Sequence, residues 1–328
     1  MNVAGGIYHV IARGLERREI FKDDADRSEF VRRLEKSLNE SGCKCYGWVL
    51  MPNHFHLLIR TGSKPLGNMM RRLLTGYAIY FNTTHRRSGY LYQNRYKSIL
   101  CQEDVYLKEL VRYVHLNPLR SGMLKDIESL NNYPWSGHCV LMGNQKYGWQ
   151  STDEILSLFG TKVSDAKHNY LNFICDGTAM GKRDDLSGGG LKRSAGGWKG
   201  IAELKRSRNY WRGDERVLGD GGFVNAVLKQ SEEDFDNQER IKQKGLTISW
   251  LTDKVTALTG INAGQLAAKG HSNHTSRARA IFAYWGYKQL YMTAKALMNV
   301  LSCSRPALTR LIEKGEKISC SENLMLQC

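Results

Sequence analysis

A chain of 328 residues with 41% apolar and 10% aromatic side chains is long enough for two domains and apolar enough to bury a core. Its 48 Lys and Arg against 32 Asp and Glu leave a net charge of +16, an excess that favours polyanionic partners, nucleic acid first. No run of about 18 apolar residues marks a membrane span, Met1 to Gly6 carries no leader pattern, and eight cysteines without C-x-x-C spacing speak against a zinc ribbon or disulfide framework, so a reduced cytoplasm is expected.

In chain order, Ile7 to Ala12 predicts a strand ended by Gly14. A helix follows from Asp24, its expected cap, with Phe30, Val31, Leu34 and Leu38 on one stripe until Ser41-Gly42. Lys44 to Met51 is a strand, Pro52-Asn53 a turn, and His54 to Arg60 the next strand. A second helix spans Leu66 to Asn82, Ser88-Gly89 opens a turn, and a short extended stretch runs through Ser98 to Leu100. A third helix runs from Glu103 toward Asn117, where Pro118 should stop it. This order predicts an α+β domain whose antiparallel sheet carries helices on one face.

From Gly181 to Gly222 glycines and charges dominate, and Ser187 to Gly197 reads as a linker. Beyond Leu246 the apolar spacing is helical again. Thr293 to Leu301, Ser302-Cys303-Ser304 and Arg305 to Ile312 have the rhythm of a helix-turn-helix, although an ordinary helical hairpin fits the same pattern. The expected domains are therefore 1–145, an intermediate region 146–245, and a helical DNA-binding domain 246–328.

Chemistry concentrates at Met51-Pro52-Asn53-His54-Phe55-His56. Alternate residues of a strand share a face, so His54 and His56 project together while Phe55, Leu57 and Ile59 point into a core. Two imidazoles on a rigid strand are within reach of one metal ion. Tyr113 and Asn117, four apart on the third helix, lie one turn apart on the same side. A carboxamide oxygen with two imidazoles suits Mg²⁺ or Mn²⁺, whose open positions a phosphate can fill. A tyrosine phenol beside such an ion can attack phosphorus and form a covalent phosphotyrosine. His115 is a candidate for taking the phenol proton, against the blander reading of a polar surface residue. Among the 16 tyrosines, Tyr77 and Tyr80 read as packing residues, and Tyr90, Tyr92 and Tyr96 as stacking platforms in a basic, turn-rich region.

Four blocks, Gly6-Ile7-Tyr8-His9-Val10, Trp48 to His56, Gly89 to Ser98 and Tyr113 to Arg120, stand in the order and spacing of the REP-associated tyrosine transposases, which are single-tyrosine HUH transposases of bacterial insertion sequences. The resemblance covers about the first 140 residues. It implies a ferredoxin-like catalytic domain that cleaves and rejoins single-stranded DNA next to hairpin repeats, with His54, His56 and Asn117 as metal ligands and Tyr113 as the nucleophile forming a 5′-phosphotyrosine. Gly14-Leu15-Glu16 departs from the family's usual Asn after the glycine. The tail from Thr247, with Thr275 to Arg279, resembles the DNA-binding domain of the replication initiator DnaA, which implies duplex DNA as a second partner. The resemblance leaves open whether the enzyme is a homodimer, and it implies a nucleoid-associated, cytoplasmic protein. Arg71, Arg72, Arg86, Arg87, Arg95 and Lys97 are candidate DNA contacts in the catalytic domain, Arg305 and Arg310 in the tail, and Lys205, Arg206, Arg208 and Arg212 form a second basic patch. The competing readings are a non-catalytic DNA-binding regulator, and, below it, a rolling-circle initiator or relaxase.

Overall fold

The computed structural model describes residues 3–62, 64–180, 216–220, 222–230, 245–268, 273–324 and 326. They fall into two compact units, Met1–Leu228 and Lys229–Cys328.

In the first unit, β1 (Ile7–Arg13), β2 (Lys44–Met51), β3 (His54–Arg60), β4 (Lys97–Cys101) and β5 (Val217–Leu218) form one sheet in the order β2-β3-β1-β4-β5. The first four strands pair antiparallel, and β5 joins β4 in parallel, so the sheet is mixed rather than wholly antiparallel. Two residues of β5 carry no readable period, which is why the sequence did not announce it. The α+β class holds, but helices cover both faces instead of one. Tyr8, Val10 and Ala12 of β1, with Phe55, Leu57 and Ile59 of β3, pack under α1 (Asp24–Ser41) and α2 (Leu66–Thr84). Ile7, Leu58, Ile99 and Cys101 face the other way, onto α3 (Glu103–His115) and α8 (Val163–Thr178). The cause is in the strands, since β2 and β3 are buried on both sides along nearly their whole length.

Local chemistry sets the helix ends. The α1 cap is Asp23, whose side chain accepts from the Asp26 amide, one residue before the expected Asp24. Gly42, at φ 65°, closes the helix in the left-handed region. Pro118 does not stop the chain from coiling. A short α4 (Asn117–Arg120) follows Leu116, with Pro118 in its first turn where a missing N–H costs nothing. After α5 (Ile127–Asn131) and α6 (Gly137–Met142), α7 (Thr152–Leu156) and α8 bury Ile155, Leu156, Ala166, Tyr170 and Ile174 against Leu110 and Val111 of α3. The region from 146 to 178 is thus core of the first unit, continuous with the residues before it. The Ser187–Gly197 linker and the patch of Lys205, Arg206, Arg208 and Arg212 lie outside the described residues.

The described part of the second unit is helical: α9 (Ile248–Thr259), α10 (Ala263–Ala267), α11 (Asn273–Tyr284) running into a π-helical turn at Trp285–Gln289, α12 (Ala294–Leu301) and α13 (Arg305–Ser321). Ser302 turns the chain between α12 and α13 at φ 44°, where the sequence places a tight turn. Arg279, within the Thr275–Arg279 block, is buried and donates to the carbonyls of Leu266, Ala268 and Leu301. It thereby satisfies the C-terminal ends of α10 and α12 with a cation. Its role is structural. Arg305 and Arg310 are exposed on α13. Among the described residues no helix is long and apolar enough to cross a membrane.

Candidate active site

Register brings the histidines together. His54 opens β3 opposite Arg13 of β1, and His56 stands opposite Ile11. Their rings lie 5.2 Å apart on the α3 face of the sheet. His9, two positions before Ile11 on β1, projects to that same face; its Nε2 is 2.9 Å from His56 Nδ1, with the rings stacked at 5.1 Å. From α3, the Tyr113 ring meets both edge-on, 5.6 Å from His9 and 6.0 Å from His56. The Arg120 guanidinium sits over the Tyr113 ring at 5.6 Å. Tyrosine and histidine pair thus come from one chain, on a strand and a helix that the core holds rigidly.

Burial keeps these imidazoles neutral. His54 is pushed down to about 4, mainly by desolvation and then by the nearby Arg13 cation. His56 is driven well below the ordinary histidine value by desolvation, then by His9, His54 and Arg13. At pH 7 each therefore keeps a lone pair. For His54 the hydrogen bond settles which one: Nδ1 lies 2.7 Å from Asn53 Oδ1, a carbonyl oxygen that only accepts, so Nδ1 carries the proton and Nε2 is left bare.

Asn117 lies one turn beyond Tyr113. Its amide nitrogen donates to the Tyr113 carbonyl at 2.8 Å and the Val114 carbonyl at 3.3 Å, which leaves Oδ1 as its acceptor. His115 is not a surface residue and does not face Tyr113's neighbours. It is fully buried, with Nδ1 2.8 Å from the Tyr170 hydroxyl and Nε2 against Gly47 and Gly137. Two residues along a helix is more than half a turn, so it points away from the phenol.

The basic cluster divides. Arg71 and Arg95 line a cleft with Tyr90, Tyr92 and Tyr96. Arg72 is held by Glu40 at 2.6 Å. Arg87 lies over the Phe81 ring at 5.6 Å, in a smaller hollow with Arg18 and Lys22. Arg86 and Lys97 are exposed. Two residues at the site went unassigned in the sequence. His9 stood in a quoted block without a role, and Arg13 ends β1; pairing β1 with β3 in register was the signal that would have found both.

Residues 2–117 match the model of the family described as IS200-like transposase. No curated protein matches the chain. Among solved structures, a REP-associated tyrosine transposase bound to a REP hairpin aligns at 14% identity with a TM-score of 0.37, over 46% of this chain and 94% of that one. The similarity to the IS200-like transposase family is thus carried by residues 2–117.

Proposed function

We propose that this protein is a metal-dependent strand transferase that cuts single-stranded DNA beside hairpin repeats through Tyr113. The observation carrying the reading is the Tyr113 ring set against His56 and His9 in one chain, beside a His54 whose Nε2 is bare. The transposase match over residues 2–117 and a charge of +16 support DNA as the partner, and the resemblance of the four sequence blocks supports the hairpin.

The donor set fits a hard divalent ion. His54 Nε2 is available, and His56 Nε2 is equally so when its Nδ1–H donates to His9, the arrangement in which a partner orients a metal-binding histidine. The resemblance of the sequence blocks makes Asn117 the third donor, and its amide nitrogen is engaged by the Tyr113 carbonyl, which leaves the carboxamide oxygen Oδ1 for a hard cation. Mg²⁺ or Mn²⁺ held there would offset charge on a phosphate oxygen and fix the scissile bond.

The Tyr113 oxygen, once deprotonated, attacks phosphorus. An O–P bond forms to the tyrosine, the bond from phosphorus to the 3′ oxygen breaks, and the leaving 3′ oxygen takes up a proton. The product is a 5′-phosphotyrosine that a 3′-hydroxyl can later reverse. Arg120 over the Tyr113 ring sets a further cation beside the nucleophile, placed for a phosphate. Arg13 adds a cation beside His54, placed for the DNA backbone. Arg71, Arg86, Arg87, Arg95 and Lys97 extend that contact, with Arg72 once released from Glu40; Arg305 and Arg310 serve duplex DNA.

The test is direct. Purified protein with Mn²⁺ or Mg²⁺ should nick a single-stranded hairpin and remain covalently attached, and Tyr113→Phe should abolish the adduct while the DNA still binds. An adduct in the Phe variant removes Tyr113 as nucleophile. Binding without an adduct under either metal returns the chain to the regulator reading.

A further inference from the structure

The turn that launches β3, Pro52-Asn53, is gripped by the loop that follows β1, the stretch whose Gly14-Leu15-Glu16 departs from the resembling family. The Gly14 amide donates to the Asn53 carbonyl at 2.8 Å, and the Ile20 and Phe21 amides donate to the Pro52 carbonyl at 2.8 and 3.1 Å. Between these grips the chain doubles back on itself. The Arg17 and Arg18 amides donate to the carbonyls of Gly14 and Leu15, both at 3.0 Å, and a Cβ on Gly14 would strike the Arg18 carbonyl. Glu16 sits at φ 54° and Arg17 at φ 62°, in the left-handed region that residues other than glycine disfavour. Both residues are exposed, so packing does not hold them there. Strain kept in two adjacent exposed residues points to work done by the backbone.

That work is to aim one carbonyl. The Arg17 carbonyl accepts from Asn53 Nδ2 at 3.0 Å. A carbonyl only accepts, so this end of the carboxamide is the nitrogen, and the other end, 2.7 Å from His54 Nδ1, is the oxygen. Oδ1 in turn only accepts, so Nδ1 holds the His54 proton and Nε2 keeps its lone pair. Each bond dictates the direction of the next, from loop backbone to imidazole. His56 receives no such instruction. Its Nδ1 meets His9 Nε2, a ring nitrogen that either donates or accepts, so that contact fits both tautomers.

We propose that Asn53 is a positioning residue for a divalent cation: held by the Arg17 carbonyl, its carboxamide locks the His54 proton on Nδ1 and leaves Nε2 to take the ion. It rests on the strand-transferase reading, in which His54 is a metal ligand, and adds to it the loop 14–18 as the support that sets this imidazole. Asparagine suits both bonds, since aspartate has no N–H for the Arg17 carbonyl and alanine reaches neither partner.

The test reads the proton before any metal is added. Full-length protein carrying isotopically labelled histidine, in EDTA at pH 7, should show His54 by nitrogen NMR in its Nδ1–H form, its signals identified by their loss in His54→Gln. Asn53→Ala should move His54 toward the Nε2–H form that an unpartnered imidazole prefers. Asn53 lies outside the left-handed region, so alanine adopts its backbone without strain. Glu16→Pro should shift the proton in the same way with Asn53 in place, because proline holds φ at about −65° and swings the Arg17 carbonyl away. Glu16→Gly, which enters the left-handed region freely, should leave the tautomer alone. Mn²⁺ is then added without EDTA, and its binding is read from the free-ion signal in electron paramagnetic resonance. Asn53→Ala should weaken that binding about tenfold. A His54 proton that stays on Nδ1 in Asn53→Ala, or a Mn²⁺ affinity that the variant leaves unchanged, overturns the proposal. A parent protein that binds no Mn²⁺ overturns the metal reading itself, while the tautomer still decides whether Asn53 sets His54.

Discussion

Helix α3 carries two histidine–tyrosine clusters on opposite sides, and they are built to different ends. On one side Tyr113 meets His9 and His56, and beside His56 stands His54, which borders solvent and keeps a bare Nε2. On the other, His115 joins Tyr170 of α8 and His138 of α6, all sealed in the core. The sealed cluster has one consistent order of protons. Asn131 Oδ1 only accepts, so His138 Nε2–H donates to it; His138 Nδ1 then accepts from the Tyr170 hydroxyl, whose oxygen accepts from His115 Nδ1–H. Such a chain ties four elements together, and the one lone pair it leaves over, on His115 Nε2, is sealed in the core. The same two residue types are thus a candidate site or a strut according to whether a lone pair faces the rim. The largest expected contrast follows from that difference. Tyr113→Phe should abolish the covalent adduct and barely move the melting temperature. Tyr170→Phe should keep the adduct and lose roughly 1–3 kcal/mol of stability, because two buried imidazoles lose their partner. A Tyr170→Phe protein as stable as the parent would break the comparison.

Acid should open the sealed side. Burial lowers His138 to about 4, from an ordinary 6.5. The unfolded chain then takes the proton first, so the stability contributed is whole above about pH 6.5 and is lost as pH falls toward 4. The loss is roughly 3 kcal/mol at the lower end. His115 shifts in the same direction, through burial and then through His138, and adds to the slope. Urea unfolding of the parent should weaken steeply between pH 6.5 and 4.5, and His138→Gln should flatten that dependence by about one proton. An unchanged slope would show that His138 is already charged in the fold.

Strands and helices were legible because their signals are local. His54 to Arg60 and Lys44 to Met51 were bounded to the residue by turn chemistry and β-branched runs, and the turn at Ser302 marked the break between two helices, of which the second runs on to Ser321 past the expected Ile312. Contacts that join distant segments were not. Nothing near His115 in sequence announces Tyr170, 55 residues on, so a polar residue near a chain turn looked solvated. His9 was hidden for the same reason, since its importance comes from a strand pairing that sets it 47 residues from its partner His56. The second face of the sheet went unseen because α7 and α8 lie beyond the expected domain end.

His9 offers a sharper probe of the rimward cluster. If its ring orients His56, His9→Ala should raise the metal concentration for half-maximal adduct by about 10–100-fold while leaving the saturated rate less affected. His115→Ala, on the far side of the helix, should not change that concentration. A metal dependence that His9→Ala leaves in place would make the contact between the two rings incidental.

The smallest effect tests how tightly the sealed side is packed. A Cβ at Gly137 would meet His115 Nε2 at 2.9 Å, and Gln150 Nε2 and Trp48 Cδ1 at 3.0 Å. None of the three yields freely. His115 is held by Tyr170, Gln150 donates to the Gly137 carbonyl while accepting from the Trp48 indole, and Trp48 is wholly buried. Gly137→Ala should therefore cost roughly 1–2 kcal/mol, at the low end for an overpacked core, read as a lower urea midpoint with unchanged slope. Adduct yield at saturating metal should hold, because the strain falls behind α3 rather than under Tyr113. A loss of adduct at full stability would mean that the two sides of the helix are coupled, and that the strut also sets where the phenol points.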